Sequence, residues 1–599
     1  MTAPAARTPD TADWRRSAAA EGVLRDFNDA GVLEASDVLV AQRLTALAGE
    51  TDDRVALAVA FAVRAVRAGS VCVDLASVRR QLGEQGGADL PWPDPEAWPA
   101  AVAASVLSGD PPVLHLDSGL LYLDRYWIEE CRVAGDVLSL AGTKRAGASP
   151  ADLARLFPAR YAEQRGAAEV ALSRALTVLT GGPGTGKTTT VARLLALLAA
   201  QAEREGHPAG QPAGQRGLRM ALTAPTGKAA ARLLEAVRAE ISVLDPADRD
   251  RLPDLTATTL HRLLGSRPDT SSRFRHNRDN RLPHDVIVVD ETSMVSLTMM
   301  ARLLEAVRPE SRLILVGDPD QLASVEAGAV LADLVEGLDA VDGSPVARLV
   351  TAHRFGESIR ALAGAIRDGD ADRALALLAD GDEHVEWVDT EEPTDILRTV
   401  LVPHALALRE AAVLGDGAAA LATLEEHRML CAHRRGRYGV GHWNRQVERW
   451  VAEQTDMPAW AAWYPGRPVL VTANDYGLGL YNGDTGVAVL RDGALRAVMS
   501  SATGQVELAT GRLSDIDTMH AMTIHKSQGS QAAEVTVLLP PPESRLLTRE
   551  LLYTAVTRAR RKVRLVGSAA QVRAAVDRRA VRATGLSRRL SGDGTGAGA

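Results

Sequence analysis

From Tyr161 onward, short runs of apolar residues alternate along the chain with longer amphipathic stretches. The runs end in loops rich in glycine or polar residues, a pattern typical of parallel strands with functional loops at their carboxyl ends. We predict strands at residues 176–179, 220–223, 286–289 and 313–316. This part of the chain is therefore predicted to be an α/β domain on a parallel sheet.

Two other regions have different patterns. Between residues 19 and 150, apolar positions recur mostly at three- and four-residue steps, which predicts a mainly helical domain. Between about residues 431 and 520, short β-type runs alternate with tight-turn sequences such as Asn482-Gly483-Asp484, which predicts a small β-barrel. Buried-strand character then returns at residues 534–539 and 563–566.

These patterns give a predicted domain organisation. It comprises a disordered N-terminus (1–18), a helical N-terminal domain (19–150), a first α/β domain (151–345), a second α/β domain in two parts (346–430 and 521–585), the barrel inserted between those parts (431–520), and a flexible tail (586–599). Within the first α/β domain, the Pro/Gly/Gln-rich stretch 203–217 is predicted to be a mobile surface insertion.

Composition changes this picture only by excluding some classes of protein. With 599 residues, 46% hydrophobic and 24% charged, the chain is typical of a soluble multidomain protein. No apolar run is long enough to span a bilayer and no signal-type segment is seen, so we expect a cytoplasmic protein without membrane contact. The 3 cysteines are widely spaced and predict no disulfide framework or metal site. A net charge of −8 excludes a histone-like polycation but not a local nucleic-acid groove.

The strand predicted at 176–179 leads into a glycine-rich loop and then a helix. The loop reads Gly181-Gly182-Pro183-Gly184-Thr185-Gly186-Lys187-Thr188, the complete pattern of a phosphate-binding loop. Backbone N–H groups of such a loop close around phosphate oxygens, and the helix N-terminus adds partial positive charge. We expect Lys187 to reach the β- and γ-phosphates of ATP and Thr188 to ligate Mg²⁺. A chance glycine-rich turn is the alternative, and the complete pattern disfavours it.

Two further strand ends supply the polar groups that ATP hydrolysis needs. The strand at 286–289 ends in Asp290 and Glu291, and we expect Asp290 to hold Mg²⁺ and Glu291 to polarise the attacking water. The strand at 313–316 is followed by a polar loop in which Gln321 is expected to sense the γ-phosphate. The sequence therefore predicts an ATP-hydrolysing motor.

These motifs, with five more, resemble those of superfamily 1 helicases and specifically the RecD family, whose members are the α subunit of the RecBCD helicase–nuclease, exodeoxyribonuclease V. The further motifs are Ala224-Pro225-Thr226-Gly227-Lys228-Ala229-Ala230, Thr258-Thr259-Leu260-His261-Arg262-Leu263-Leu264, residues 317–328, Thr523-Ile524-His525-Lys526-Ser527-Gln528-Gly529 and Tyr553-Thr554-Ala555-Val556-Thr557-Arg558-Ala559. The resemblance implies an α/β fold of two RecA-like P-loop domains with ATP between them. It also implies that the inserted barrel is SH3-like and that the helical N-terminal domain docks on a partner.

The resemblance further implies roles for individual residues. Arg558 is expected to contact the γ-phosphate from the second domain, with Arg354 as a second arginine, and Gln164 is expected to read adenine. The implied nucleotide-binding residues are Gln164, Gly181, Gly182, Pro183, Gly184, Thr185, Gly186, Lys187, Thr188 and Thr189, and the implied DNA contacts are Thr226, Lys228, Thr259, His261, Thr523, His525 and Ser527. Surface charge is the ordinary alternative for the arginines, and core hydrogen bonding is the alternative for the histidines.

As a whole, the resemblance implies a 5′-to-3′ DNA helicase in double-strand-break repair, assembled with RecB-like and RecC-like subunits, with any nuclease on a partner. A standalone RecD-like helicase is the first alternative, although the first 160 residues lack the glycine pattern of helix–hairpin–helix motifs. A non-catalytic assembly adaptor is the second alternative. The intact set of Lys187, Asp290, Glu291, Gln321 and Arg558 argues against that adaptor.

Overall fold

The computed structural model describes residues 13–82, 89–145, 147, 149–205, 218–267, 270–339, 341, 343–351, 356–455, 461–475, 477–501 and 504–592. Several predictions fall on other residues and stay predictions: disorder at 1–12, the mobile insertion over 206–217, the flexible tail at 593–599, and the role of Arg354. The predicted start of the insertion at residue 203 is wrong, because residues 203 and 204 lie in a helix that ends at Arg204. No helix in the described ranges is both long and apolar enough to cross a membrane.

The N-terminal region is mainly helical, and it also contains a small antiparallel sheet with strand order β1-β3-β2. Its elements are α1 (Gly22–Asp29), α2 (Ala35–Ala48), α3 (Asp53–Arg67), β1 (Cys72–Asp74), α4 (Val78–Leu82), α5 (Ala97–Ala104), β2 (Leu114–Asp117), β3 (Leu120–Leu123) and α6 (Asp124–Gly142). Helix α3 begins after Asp52, whose side chain accepts a hydrogen bond from the backbone N–H of Arg54. The Ser17 N–H donates to Asn28 Oδ1 at 2.8 Å, so order begins before the predicted limit at residue 18.

The first α/β domain contains a six-stranded parallel sheet of order β11-β4-β10-β9-β5-β6. Its strands are β4 (Leu176–Gly181), β5 (Met220–Ala224), β6 (Ala257–Thr259), β9 (Val286–Val289), β10 (Arg312–Gly317) and β11 (Val346–Leu349), and a hairpin is formed by β7 (Ser266–Arg267) and β8 (Thr270–Phe274). Its helices are α7 (Pro150–Leu156), α8 (Ala162–Ser173), α9 (Lys187–Arg204), α10 (Gly227–Ser242), α11 (Pro246–Asp250), α12 (Leu260–Leu264), α13 (Leu297–Ala306) and α14 (Val330–Asp339). The central strands are continuous apolar runs because helices cover both faces of the sheet.

The predicted boundary between the two α/β domains, at residues 345 and 346, is wrong. Strand β11 pairs in parallel with β4, so residues 346–349 belong to the first sheet. The edge position beside β4 is filled by a strand that follows β4 by more than 160 residues, and no local pattern reveals that pairing.

The second α/β domain contains a five-stranded parallel sheet of order β12-β21-β20-β13-β19. Its strands are β12 (Val385–Val388), β13 (His427–Cys431), β19 (Ala521–Thr523), β20 (Ala532–Leu538) and β21 (Ala559–Val566), and its helices are α15 (Glu357–Asp368), α16 (Ala371–Asp380), α17 (Thr394–Val413), α18 (Gly417–Glu426), α19 (Val440–Gln454), α20 (Arg549–Val556) and α21 (Ala569–Asp577). The predicted insertion at 431–520 therefore begins too early. Helix α19 packs on the second sheet because Trp443, Val447 and Trp450 form one buried face.

An antiparallel sheet is inserted between α19 and β19. Its strands are β14 (Pro468–Val471), β15 (Thr485–Arg491), β16 (Ala494–Ser501), β17 (Gly504–Ala509) and β18 (Ile516–Thr518), in the order β17-β16-β15-β14-β18. The edge strands β17 and β18 are not paired with each other within the described residues. The antiparallel strands are thus observed, while closure into an SH3-like barrel stays a prediction.

The predicted flexible tail from residue 586 is also wrong at its start. Residues Leu586–Ser591 form helix α22, and Leu586 and Leu590 are 0% and 2% exposed. They complete a core that also contains Leu334 of α14 and Tyr122 of the N-terminal region. Two leucines four residues apart form one apolar face, a signal too short to predict a helix beside a glycine-rich end.

A buried carboxylate fixes α22 to the N-terminal region. Glu130 of α6, 0% exposed, accepts hydrogen bonds from Tyr122 Oη at 3.0 Å and from Arg589 Nε at 2.9 Å. Its other oxygen accepts from Thr584 Oγ1 and from the Gly585 N–H, each at 3.1 Å. Residues near both ends of the chain therefore share one core and one polar network.

Candidate functional site

The loop after β4 has the backbone shape of a phosphate-binding loop. Gly184 and Gly186 have φ of 81° and 88°, a left-handed conformation that favours glycine. A Cβ atom added at Gly181 would lie 2.6 Å from the Leu349 carbonyl oxygen, so β11 leaves no space for a side chain there. Lys187 Nζ lies over the loop and donates to the carbonyl oxygens of Gly181 and Gly182 at 2.5 and 3.0 Å. The backbone N–H groups and the ammonium of this loop suit an anion.

Two acidic residues follow β9, beside this loop. Glu291 has φ of 50°, a strained conformation for a residue other than glycine, and its N–H donates to Asp290 Oδ1 at 2.8 Å. Burial, together with the neighbouring Glu291 carboxylate, raises the pKa of Asp290 to about 6. A bound cation would stabilise the ionised form of such a carboxylate. The donor set of one carboxylate and the Thr188 hydroxyl fits a metal ion that is held mainly by phosphate and water.

A cleft of about 740 Å³ contains these groups. Its lining comes from both α/β domains and includes Arg160, Tyr161, Gln164, Lys187, Thr188, Thr189, Arg232, Asp290, Glu291, Asp318, Gln321, Gly529, Gln531 and Arg558. The structure thus brings together the predicted ATP residues of the first domain and Arg558 of the second.

Gln321 lies in the cleft on the loop after β10. Its Nε2 donates to Asp318 Oδ2 at 2.9 Å, and the hydroxyl of Tyr553, from the second domain, donates to the same oxygen at 3.1 Å. Burial raises the pKa of Asp318. Gln321 Oε1 is buried and has no hydrogen-bond partner within the described part of the chain. A buried acceptor without a partner is rare and marks a group poised for a ligand or water.

Arg558 is 4% exposed and faces acidic groups of the first domain. Its Nε donates to the Thr554 carbonyl oxygen at 3.0 Å, and its Nη2 donates to Thr557 Oγ1 at 3.4 Å. Burial lowers the pKa of Arg558, whereas Glu291 and Asp318 favour its charged form. The guanidinium is therefore a buried cation at the domain boundary, directed into the cleft.

The opposite end of the cleft is built by α8 and the residues before it. Gln164 Nε2 donates to the Thr185 carbonyl oxygen at 3.3 Å, which ties Gln164 to the phosphate loop. The Arg193 guanidinium lies 4.5 Å from the Tyr161 ring centroid and supports that ring. Thr189, predicted to bind nucleotide, lines the cleft but donates its hydroxyl to Glu240 Oε1 at 2.9 Å.

Four of the predicted DNA contacts use their hydroxyl groups inside the protein. Thr226, Thr259 and Thr523 accept from the backbone N–H groups of Ala229, Arg262 and Lys526, each at 3.2 Å, and Ser527 donates to the Ile524 carbonyl oxygen at 2.7 Å. Thr226 and Thr259 remain half-buried helix caps. Thr523 and Ser527 are only 6% and 2% exposed, so their side chains shape the loop and do not face solvent.

The remaining predicted DNA contacts are Lys228, His261 and His525. His261 is exposed and its ring lies 5.7 Å from that of Phe274, whereas His525 is half-buried. Burial lowers the pKa of the His525 imidazole, so this residue is not a strong cation near neutral pH.

Lys228 lies near the segment that connects strands β14 and β15 of the inserted sheet. Burial, with Arg428 and Arg232 nearby, lowers its pKa to about 7, while Asp484 and Glu425 favour the charged form. A Cβ atom added at Gly227 would lie 2.8 Å from Cγ of Tyr481, so the Tyr481 ring packs directly on the start of α10. The first domain therefore contacts the connection between β14 and β15 at the loop predicted to bind DNA.

Sequence reasoning missed Arg232 and gave Tyr553 and Asp318 no role. Arg232 Nη1 donates to the Gly529 carbonyl oxygen at 2.8 Å, across the domain boundary. Tyr553 and Asp318 lie inside motifs that the sequence shows. Their contact could not be predicted, because it joins two domains. Arg232 follows Lys228 by one helical turn, and that spacing is the one sequence feature that could have identified it.

Comparison with known proteins identifies relatives of this chain. Family models match at residues 29–122 (RecBCD enzyme subunit RecD, N-terminal domain), 164–327 (AAA domain) and 518–566 (UvrD-like helicase C-terminal domain). The RecBCD enzyme subunit RecD of Mycobacterium tuberculosis strain H37Rv is 66% identical over 578 residues, which cover 96% of this chain and 98% of that protein. The subunit of the same name from Mycolicibacterium smegmatis is 68% identical over 561 residues, covering 94% and 98%. The ATP-dependent RecD2 DNA helicase of Deinococcus radiodurans is 32% identical over 480 residues, covering 79% and 59%.

A phosphate-loop cleft between two parallel-sheet domains, with an arginine of the second domain in its lining, is the site of a P-loop ATPase. With the helicase-domain match and the helicase relatives, the chain is an ATP-dependent DNA helicase. The two mycobacterial relatives align with this chain over nearly its whole length and over nearly all of their own, which identifies the family within that class. The chain belongs to the family of the RecBCD enzyme subunit RecD.

Proposed function

We propose that this chain is the RecD motor of a RecBCD-type helicase–nuclease, and that ATP hydrolysis between two RecA-like domains drives it 5′-to-3′ along single-stranded DNA. The observation that carries this proposal is the cleft, in which Arg558 of the second domain faces Glu291 and Asp318 of the first. A catalytic cation supplied by the other domain makes hydrolysis depend on how the domains are closed.

The residues of the cleft have different proposed roles in binding and hydrolysing ATP. The loop amides and Lys187 would bind the phosphates, Gln164 would hold the adenine end, and Glu291 would orient the attacking water. Thr188 and Asp290 would hold Mg²⁺, which supplies neutralising charge at the phosphates when bound. Gln321 and Arg558 would contact the γ-phosphate from opposite sides of the domain boundary, and Arg354 is proposed to assist Arg558.

DNA is proposed to cross both domains on the side where α10, α12 and the loop after β19 begin. Thr226, Lys228, Thr259, His261 and His525 supply side chains there, while Thr523 and Ser527 would act through the backbone N–H groups of their loop. Closure and opening of the cleft would then alternate the grip of the two domains.

The assembly is proposed from the family. RecB-like and RecC-like subunits would complete a cytoplasmic heterotrimer, with any nuclease on a partner and with the N-terminal region (19–150) as the docking part. We retain an SH3-like barrel as the proposed form of the inserted antiparallel sheet.

An unwinding assay on tailed duplexes tests polarity and independence together. We expect the full chain with its partner subunits to unwind a duplex with a 5′ single-stranded tail when ATP is present, because the proposed travel is 5′-to-3′. A duplex with only a 3′ tail serves as the matched substrate, and partners whose own ATP sites are inactivated remove their contribution. Unwinding of the 3′-tailed substrate alone would reverse the proposed polarity. Equal unwinding by the isolated chain would favour a standalone helicase.

The pKa of Lys228 gives a second prediction, on pH. Lys228 is charged below about pH 7 and neutral above it, and a DNA phosphate favours the charged form. Affinity for a single-stranded oligonucleotide is therefore expected to weaken from about pH 6 to pH 8, by up to about tenfold. Fluorescence anisotropy at constant ionic strength measures this dependence.

The matched variants for this test are Lys228→Arg and Lys562→Arg. The arginine of Lys228→Arg stays charged across the pH range, so this variant should flatten the pH dependence of DNA affinity. Lys562 is paired with Glu386 on the second sheet, so Lys562→Arg should leave that dependence unchanged. The same slope in the wild type and Lys228→Arg would remove Lys228 from the DNA site.

A further inference from the structure

Leu322 follows the proposed γ-phosphate sensor Gln321 and is held by the opposite domain. Its side chain is 6% exposed and packs in the core of the second domain with Ile359 and Tyr553. Its backbone N–H donates to Thr554 Oγ1 at 2.9 Å, and its carbonyl oxygen accepts from Gln528 Nε2 at 2.7 Å. A loop that leaves the first sheet is thus anchored in the second domain through the side chain and both backbone groups of one residue.

Both anchoring side chains are buried. Thr554 and Gln528 are 0% and 8% exposed, so water cannot easily replace either hydrogen bond. Loss of one partner would leave a buried backbone group of Leu322 unsatisfied. Neither Thr554 nor Gln528 is among the described residues that line the ATP cleft. Their side chains therefore act on the cleft through Leu322, whereas the Thr554 backbone carbonyl oxygen also accepts from Arg558 Nε at 3.0 Å.

Gln321 lies directly beside this anchor. Its Oε1 has no hydrogen-bond partner in the described ranges, and its Nε2 is held only by Asp318, which in turn binds Tyr553. The position of Oε1 in the cleft therefore depends on the backbone of the next residue. A movement of the second domain would therefore displace Leu322, and with it the backbone beside Gln321.

The two anchors come from different functional segments. Thr554 lies on α20, four residues before Arg558, and Gln528 directly follows Ser527 in the loop proposed to grip DNA. One amide hydrogen bond therefore connects the DNA loop to the residue beside the ATP sensor.

We infer that Thr554 and Gln528 form an interdomain latch on Leu322 that positions Gln321, with Thr554 setting its place in the closed cleft and Gln528 reporting the state of the DNA loop. The inference rests on the proposed function and adds two positioning residues to it. Neither residue is assigned a contact with ATP.

The test compares variants of the full chain in ATP turnover, with and without a single-stranded oligonucleotide. Thr554→Val removes the acceptor for the Leu322 N–H, and we expect kcat to fall about tenfold while KM for ATP changes less than about twofold. Thr554→Ser restores the acceptor and should recover kcat to within about threefold of the wild type. Gln528→Met should keep DNA-free turnover within about twofold but lose about tenfold in DNA stimulation.

Thr536→Val is the matched control, because Thr536 is equally buried (0% exposed) in β20 and lies outside the cleft lining. Thr536→Val should lower the thermal unfolding midpoint about as much as Thr554→Val does. Its kcat should equal that of the wild type. The latch is wrong if Thr554→Val keeps wild-type kcat, if Thr536→Val loses as much, or if only KM rises. Gln528→Met tests it separately should Thr554→Val fail to fold.

The proposed function fails in a different way. If the wild type hydrolyses ATP but the oligonucleotide does not stimulate it, DNA-driven action is wrong. In that case the latch is tested by comparing the kcat of Thr554→Val with that of Thr554→Ser in the absence of DNA. A lower kcat for Thr554→Val alone supports the latch, and equal values contradict it.

Discussion

Replacing Lys187 by alanine is expected to lower DNA-stimulated ATP turnover about 10³-fold and to abolish unwinding. The ammonium lies over the phosphate loop, bound to the carbonyl oxygens of Gly181 and Gly182, and is the cation of this loop that is proposed to bind the phosphate oxygens. Charge develops on those oxygens in the transition state, so loss of the cation affects kcat more than folding. Steady-state ATPase measurements with a single-stranded oligonucleotide check this.

Lys144→Ala is the matched control, because Lys144 is exposed and lies outside the cleft lining. Both variants should unfold at the wild-type temperature, and only Lys187→Ala should lose turnover. Retention of most of the activity by Lys187→Ala would place the ATP site elsewhere.

Removing residues 586–599 is expected to destabilise the protein by about 5 kcal/mol or more. Leu586 and Leu590 are fully buried, and each buried leucine contributes about 2–5 kcal/mol. The deletion also removes Arg589, which leaves the buried Glu130 carboxylate without its cation, a change that costs about 3–5 kcal/mol. The expected result is a thermal unfolding midpoint lowered by many degrees, or loss of soluble protein.

Removing only residues 593–599 should leave that midpoint unchanged. A finer comparison uses two neighbouring arginines of α22, because Arg588 is exposed whereas Arg589 binds Glu130 and Asp117. Arg589→Ala should lower the midpoint and Arg588→Ala should not. Equal midpoints for the two deletions would mean that α22 contributes nothing to stability.

The sequence predicts those parts of the fold that depend on residues close together in the chain. The strands at 176–179, 220–223, 286–289 and 313–316 were recognisable because a strand covered on both faces is a continuous apolar run. The boundary at residues 345 and 346 failed because apolar periodicity predicts a strand without telling which sheet it joins. Helix α19 was assigned to the insertion for the same reason.

The candidate site divides in the same way. Lys187, Asp290 and Gln321 follow strand ends at fixed positions, so their roles could be proposed from spacing. The contacts of Tyr553 with Asp318, and of Thr554 with Leu322, join residues more than 230 positions apart and exist only once the two domains meet. The hydroxyls of Thr523 and Ser527 were assigned to DNA because sequence does not show that the loop itself uses them.

The network around Glu130 has a consequence for how the chain is made. Glu130 and its partner Arg589 are 459 residues apart, so a ribosome working at about 5–20 residues per second separates their synthesis by roughly 20 to 90 s. During that interval the N-terminal region has an incomplete core and a buried acid without its cation. Chaperones have that window in which to bind it, and the proposed docking of partner subunits on this region would await the synthesis of α22.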